Sequence, residues 1–263
     1  VRARRAGALA AAALGGGRRG RVASIHERAI VLLLDDGPLV ALLPRGAPLH
    51  PWAVELEAAV PSGPGEGDTV QVGDAALEIG PLRVALAGMA IEPLRLAARP
   101  AAVDPAAAHA LASSSPERGG GPFEPVLAAA LASYRDSGDP AVLAVLVGVG
   151  EGLTPSGDDV IVGALAALDL LGAAAAQERL GAALAGCAVR TTRLAAQGIE
   201  AALAGHYPEP VLGVLAALAA ADPARLGAAA AALLAVGHRS GADTLRGIVA
   251  VLAQGAMRRS STG

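Results

Sequence analysis

The chain has 263 residues, 53% hydrophobic by a broad count but only 2% aromatic, with 21 Lys+Arg, 24 Asp+Glu and a net charge of −3. It contains no lysine and no asparagine, which excludes Schiff-base catalysis through lysine and a Walker-type phosphate loop. Weak negative charge and few aromatic rings argue against nucleic acid as a partner. The single cysteine, Cys187, excludes an intrachain disulfide and points to a reducing cytoplasm.

Residues 1–20 begin Val1-Arg2-Ala3-Arg4-Arg5 and continue into alanine. They read as an amphipathic or frayed N-terminal extension; the apolar region is too weak for an export signal. Residues 21–100 read as β-rich, with strands at 21–25, 29–34, 39–43, 69–72, 75–79 and 82–86 and a turn at Asp35-Asp36-Gly37-Pro38. Short strands at this spacing suggest a small barrel or sandwich. Residues 101–123, rich in Ala, Ser, Pro and Gly, read as a short helix and a connector. From 124 to 263 the pattern is helical, with candidates at 124–136, 139–147, 158–175, 177–204, 208–220, 222–236 and 242–257. The 139–147 segment fits a strand equally well, and Val142–Val149 is a strand-like apolar run. Asp169 interrupts the apolar stretch after Val160, so no membrane span is expected. The expected fold is α+β: a small β-rich, barrel- or sandwich-like N-terminal region, then a larger helical C-terminal region.

The most informative segment is Gly150-Glu151-Gly152-Leu153-Thr154-Pro155-Ser156-Gly157-Asp158-Asp159. It places three glycines, two hydroxyls and three carboxylates just before a helix. Glycines let a backbone approach a ligand, and first-turn N–H groups and hydroxyls bind oxygens. A related pattern returns late in the chain. Ser156-Gly157-Asp158-Asp159-Val160-Ile161-Val162-Gly163 and Ser240-Gly241-Ala242-Asp243-Thr244-Leu245-Arg246-Gly247 share Ser-Gly-x-Asp-x-x-x-Gly. Two equivalent helix starts facing one another would converge their positive ends on an anion. The last glycine of each copy would allow close helix packing. Ordinary helix capping by Ser and Asp is the competing reading.

Gly152-Leu153-Thr154-Pro155-Ser156-Gly157-Asp158-Asp159, the helix start Arg190-Thr191-Thr192, and Gly237-His238-Arg239-Ser240-Gly241-Ala242-Asp243-Thr244-Leu245 together resemble the AllH-like family. The resemblance runs from about Arg21 to about Gln254. It implies a subunit of oxamate carbamoyltransferase in allantoin breakdown, moving a carbamoyl group between oxalurate and phosphate, with partner subunits. The Ser-Thr-Arg-Thr signature of classical transcarbamoylases is missing, so such chemistry would use another scaffold.

That reaction needs sites for phosphate, a carboxylate and a polarised carbonyl, plus a proton for the departing nitrogen. The expected ligands are small anions: phosphate, carbamoyl phosphate and an oxamate-like acid. Gly152, Thr154, Ser156 and Gly157 would hold phosphate or an oxyanion. His238 would move the proton, and Arg239 or Arg190 would fork onto a carboxylate. Ser240 and Gly241 open the second copy. Asp159, matched by Asp243, would cap its helix or hold the partner loop. Asp158, unmatched, is read as a general base or a Mg²⁺ ligand; a solvated helix-start acid is the alternative. Thr192 would line the pocket or cap its helix. Cys187 reads as a buried, inert thiol. The histidines at 26, 50, 109 and 206 lack metal-ligand spacing. Val147 to Gly152 lacks the dinucleotide-binding fingerprint.

Overall fold

A computed structural model describes residues 1–35, 37–114 and 121–260, with side chains through residue 255. The chain divides into two compact units, Val1–Leu94 and Arg95–Gly263. Asp36 of the expected turn and 115–120 of the expected connector lie outside the described residues.

The first unit is one nine-stranded sheet with a short helix. Its strands are β1 (Ala3–Gly7), β2 (Arg19–His26), β3 (Ala29–Leu34), β4 (Leu39–Leu43), β5 (Ala53–Leu56), β6 (Thr69–Val72), β7 (Ala76–Ile79), β8 (Leu82–Ala85) and β9 (Ala90–Glu92); α1 (Ala8–Ala13) follows β1. The order is β8-β7-β6-β2-β3-β4-β5-β1-β9. Neighbours are antiparallel except β4–β5 and β1–β9. The sheet curls, because Arg2, just ahead of β1, bridges Ala85 at the end of β8. A single curled sheet is closer to the barrel than to the sandwich expectation.

Alternation dictates this core. In β3, Ile30, Leu32 and Leu34 are buried while their neighbours are half-buried, as a period of two requires. Residues 3–13 differ from the expected frayed extension: β1 pairs with both β5 and β9. The reason is Glu55 in β5, fully buried, which accepts hydrogen bonds from Arg4 Nη1 at 2.8 Å, from Arg5 Nε and from Gly46 N–H at 2.6 Å. Two arginines that read locally as solvated are held by an acid about fifty positions away.

The second unit is helical: α2 (Pro105–Ser113), α3 (Glu124–Ser137), α4 (Ser156–Leu170), α5 (Ala174–Ala183), α6 (Arg193–Leu203), α7 (Glu209–Ala219), α8 (Pro223–Leu234) and α9 (Ser240–Ser260). Short 3₁₀ helices occupy Pro140–Leu146 and Cys187–Val189. α4 is its axis, buried along almost all of its length and packed against α5, α6, α7 and α9. Val160, Leu165, Ile199, Leu215, Leu245 and Ile248 are fully buried in this core.

Of the two readings of 139–147, the helical one holds, as a 3₁₀ helix at Pro140–Leu146. Asp139 starts it by accepting from Ala141 N–H at 3.2 Å, and its neighbours α3, α4 and α5 offer no sheet edge. The expected helix 177–204 is broken, because Gly186 takes a left-handed φ of 74° and Thr192 starts α6 afresh. Its side chain accepts from Ala195 N–H at 3.1 Å.

Candidate functional site: the paired starts of α4 and α9

The two Ser-Gly-x-Asp copies meet. One sequence shift carries Ser156 onto Ser240, Val160 onto Thr244, Gly163 onto Gly247 and Ala164 onto Ile248. A Cβ added at Gly163 would strike Thr244 O and Ile248 N; one added at Gly247 would strike Val160 O and Ala164 N. These contacts are exchanged under the shift, so α4 and α9 cross as equivalent partners. Further along, Gly255 lies against Leu171, also matched positions, which makes the helices parallel and sets their starts side by side.

The second glycine of each copy is matched too. A side chain at Gly157 would strike Leu146 O, and one at Gly241 would strike Leu233 O. Each helix start is thus pressed against the end of the helix before it. Thr154 Oγ1 and Ser240 Oγ are 2.9 Å apart, a hydrogen bond that joins the glycine loop to the start of α9.

Asp158 is 2% exposed. It accepts from Gly148 N–H at 3.0 Å and from the Thr191 hydroxyl. Burial raises its carboxyl above the usual range, against the lowering effect of Thr191, Gly148 and the Arg190 charge. Each oxygen of Asp158 thus accepts one donor from the chain, which ties Gly148 to Thr191, just ahead of α6. Among the described residues, no group of three His, Cys, Asp or Glu side chains could hold a metal.

Asp159 sits deeper in electrostatic terms. Burial pushes its carboxyl well above the usual range; Asp243 and Asp158 push the same way, and a hydrogen bond from Ser240 opposes them. Asp243 is 2% exposed. Its Oδ1 lies 3.6 Å from Arg246 Nη1, and its Oδ2 lies 4.0 Å from Arg239 Nε. Arg246 is itself forked onto Glu124 at 2.8 and 3.0 Å. Asp159 Oδ2 and Asp243 Oδ2 are buried and have no hydrogen-bond partner.

The remaining candidates divide. Ser156 is half-buried at the first turn of α4, and Gly152 has open space where a side chain would be. Thr192 donates to Leu153 O as well as capping α6, so its hydroxyl is used in structure. Arg190 donates to Ala144 O at 3.2 Å, which ties it to the 3₁₀ helix. His238 and Arg239 are exposed in the turn before α9. Cys187 is buried, and burial, helped by the charges of Glu200 and Asp158, raises its thiol pKa. A protonated thiol is a poor nucleophile.

Reading by motif missed a second polar cluster at the far end of α4. Asp169, 5% exposed, is held by Arg99 Nε at 3.1 Å. Arg95 Nη2 donates to His206 Nε2 at 2.7 Å, since a guanidinium has no acceptor. Tyr207 is fully buried beside Asp169, and burial raises its hydroxyl pKa. The only local signal was an acid inside an apolar helix.

A curled β-sheet unit followed by a helical unit with a doubled glycine-and-carboxylate helix start defines an α+β protein with a polar centre built from an internal repeat. Residues 146–252 match the family model described as oxamate carbamoyltransferase subunit AllH, and residues 3–92 match the AllH family N-terminal domain. Together these take in most of the chain, which belongs to the AllH family; its description is that of a carbamoyltransferase-related subunit. The match begins at residue 3, well before the residues that first suggested it. No curated protein and no solved structure matches the chain. Among the described residues, no helix is long and apolar enough to cross a membrane.

Proposed function

We propose that the chain is an oxamate carbamoyltransferase-type subunit, cytoplasmic and working with partner subunits in allantoin breakdown, and that it binds its carbamoyl-bearing acid at the paired starts of α4 and α9. The observation that carries this reading is the Thr154–Ser240 contact between two helix starts related by one sequence shift, in the segment that the family model covers.

In the reaction, a hydrogenphosphate oxygen attacks the ureido carbon of oxalurate. The C–N bond to the oxamate nitrogen breaks, and the phosphate's proton passes to that nitrogen. Carbamoyl phosphate and oxamate are the products. His238, exposed at the rim, carries the proton. Arg239 beside it holds the carboxylate of the acid. Ser156, Thr154 and the backbone around Gly152 line the approach. Asp158 keeps the loop in place through Gly148 and Thr191.

A second reading, a non-catalytic small-anion-binding or assembly subunit, draws on the apolar groove between α3 and the 3₁₀ helix at 140–146. Val126 and Val145, 45% and 58% exposed, line it, and a partner subunit is the occupant that would cover them. The two readings separate on His238→Ala and Arg239→Ala, assayed as phosphorolysis of oxalurate with the partner subunits present. The catalytic reading expects His238→Ala to lower kcat about 100-fold with KM little changed. Unchanged turnover in both variants overturns it.

A further inference from the structure

The starts of α4 and α9 show an imbalance between donors and acceptors. Several first-turn N–H groups of these helices are taken by the chain. Gly157 N–H donates to Val149 O at 2.7 Å, and those of Asp158 and Asp159 donate to Pro155 O at 2.9 and 3.3 Å. In α9, Gly241 N–H donates to Val236 O at 3.1 Å and Asp243 N–H to Arg239 O at 3.0 Å. Among the buried side-chain atoms of the described residues, two acceptors, Asp159 Oδ2 and Asp243 Oδ2, have no hydrogen bond. Buried acceptors without donors are costly, and native proteins keep few of them.

These two oxygens sit on residues that the sequence shift exchanges, on parallel helices that touch through glycine. The repeat therefore places one such acceptor on each helix, at matched positions. A phosphate would meet carboxylates there and be repelled. A primary amide nitrogen carries two N–H donors and no negative charge. Resting on the reading above, we propose that Asp159 and Asp243 accept the two N–H bonds of the carbamoyl or oxamate –NH₂ group, so that this centre selects its ligand by the amide and not by phosphate. Arg239, its side chain 45% exposed and 4.0 Å from Asp243 Oδ2, is placed for the carboxylate at the other end of an oxamate-like acid. Ser240, between Thr154 and Asp159, sets the position of the loop over the pair. Burial raises the Asp159 carboxyl, as does the Asp243 charge, and the Ser240 hydrogen bond opposes them.

The test compares ligands that differ only at the nitrogen: oxamate against oxalate, and carbamoyl phosphate against acetyl phosphate. Binding to the full chain is followed by calorimetry and by thermal shift. The expected result is oxamate bound at least tenfold more tightly than oxalate, with the same ranking for the phosphates. Asp159→Asn and Asp243→Asn should each erase that preference while leaving a cooperative thermal transition. Equal binding of oxamate and oxalate, or a preference that survives both variants, overturns the amide assignment and leaves the carbamoyl-site reading standing. No binding of oxamate, oxalurate or carbamoyl phosphate overturns both. Where a variant fails to fold, the wild-type ligand pairs decide.

Discussion

Glu55 in the sheet and Asp159 in the helical unit are both acids whose carboxyl is pushed up by burial, and their other neighbours act in opposite directions. Burial pushes the Glu55 carboxyl up, but Gly46 N–H, Arg5 and Arg4 outweigh it and hold it below the usual range. Burial also pushes Asp159 up; there the neighbouring charges are Asp243 and Asp158, which add to the shift, and Ser240 alone opposes it. A carboxylate with its donors supplied by its own chain is structural. One left short of donors, beside a like charge, is where a ligand can supply what the fold does not. The contrast separates framework from site more sharply than burial does.

The largest expected effect comes from breaking the framework. Glu55→Ala removes the partner of two arginines; with Arg4 half exposed, the loss is about 3 kcal/mol, read from urea unfolding. An unchanged midpoint would mean that the arginines find water at no cost. Next is Gly247→Val, which puts a side chain against Val160 O and Ala164 N. About 2 kcal/mol is expected from overpacking the α4–α9 crossing, with a similar loss for its mate Gly163→Val. A large effect at one glycine and none at the other would show that the two helices do not meet as equivalents.

The smallest effect is the most informative, since it is a difference in sign. Glu55, with a lowered folded pKa, contributes stability that is present above its ordinary value of 4.5 and lost as pH falls. Asp159, with a raised folded pKa, contributes stability that is present below its ordinary value of 3.8 and lost as pH rises towards the raised one. Asp159→Asn should therefore be more stable than wild type at neutral pH, and the gap should close towards pH 4. Glu55→Gln should show the reverse trend, its deficit shrinking in acid. Parallel pH profiles for the two variants would remove the contrast.

Much of this was legible locally. The alternation in 29–34 places β3 because a two-residue period needs only adjacent side chains. The helix expected at 222–236 is α8, whose start needs only its own first turn; Asp222 accepts from Arg225 N–H at 3.1 Å. β1 was not legible: Arg4 and Arg5 read as solvated until Glu55 and two neighbouring strands are brought beside them. For the run before the glycine loop, local period left helix and strand open, and Asp139 starts a 3₁₀ helix there. Cys187 was read as a buried thiol, and it is buried.

For the site, the repeat Ser-Gly-x-Asp-x-x-x-Gly was enough to expect two equivalent helix starts and close helix packing, because glycine spacing and cap chemistry are properties of a single helix. Around them, Thr154, Ser240, Asp159 and Asp243 come together, and Asp158 accepts from Gly148 and Thr191. Sequence by itself determined the β-then-helical order, which follows from local period and composition, the paired motif, and the family resemblance, which rests on the motif residues themselves. Only the tertiary structure decided which carboxylates have donors and which do not. Hydrogen-bond satisfaction is settled by groups far apart in the chain, and here it leaves Asp159 and Asp243, one from each copy, each with an oxygen still lacking a donor.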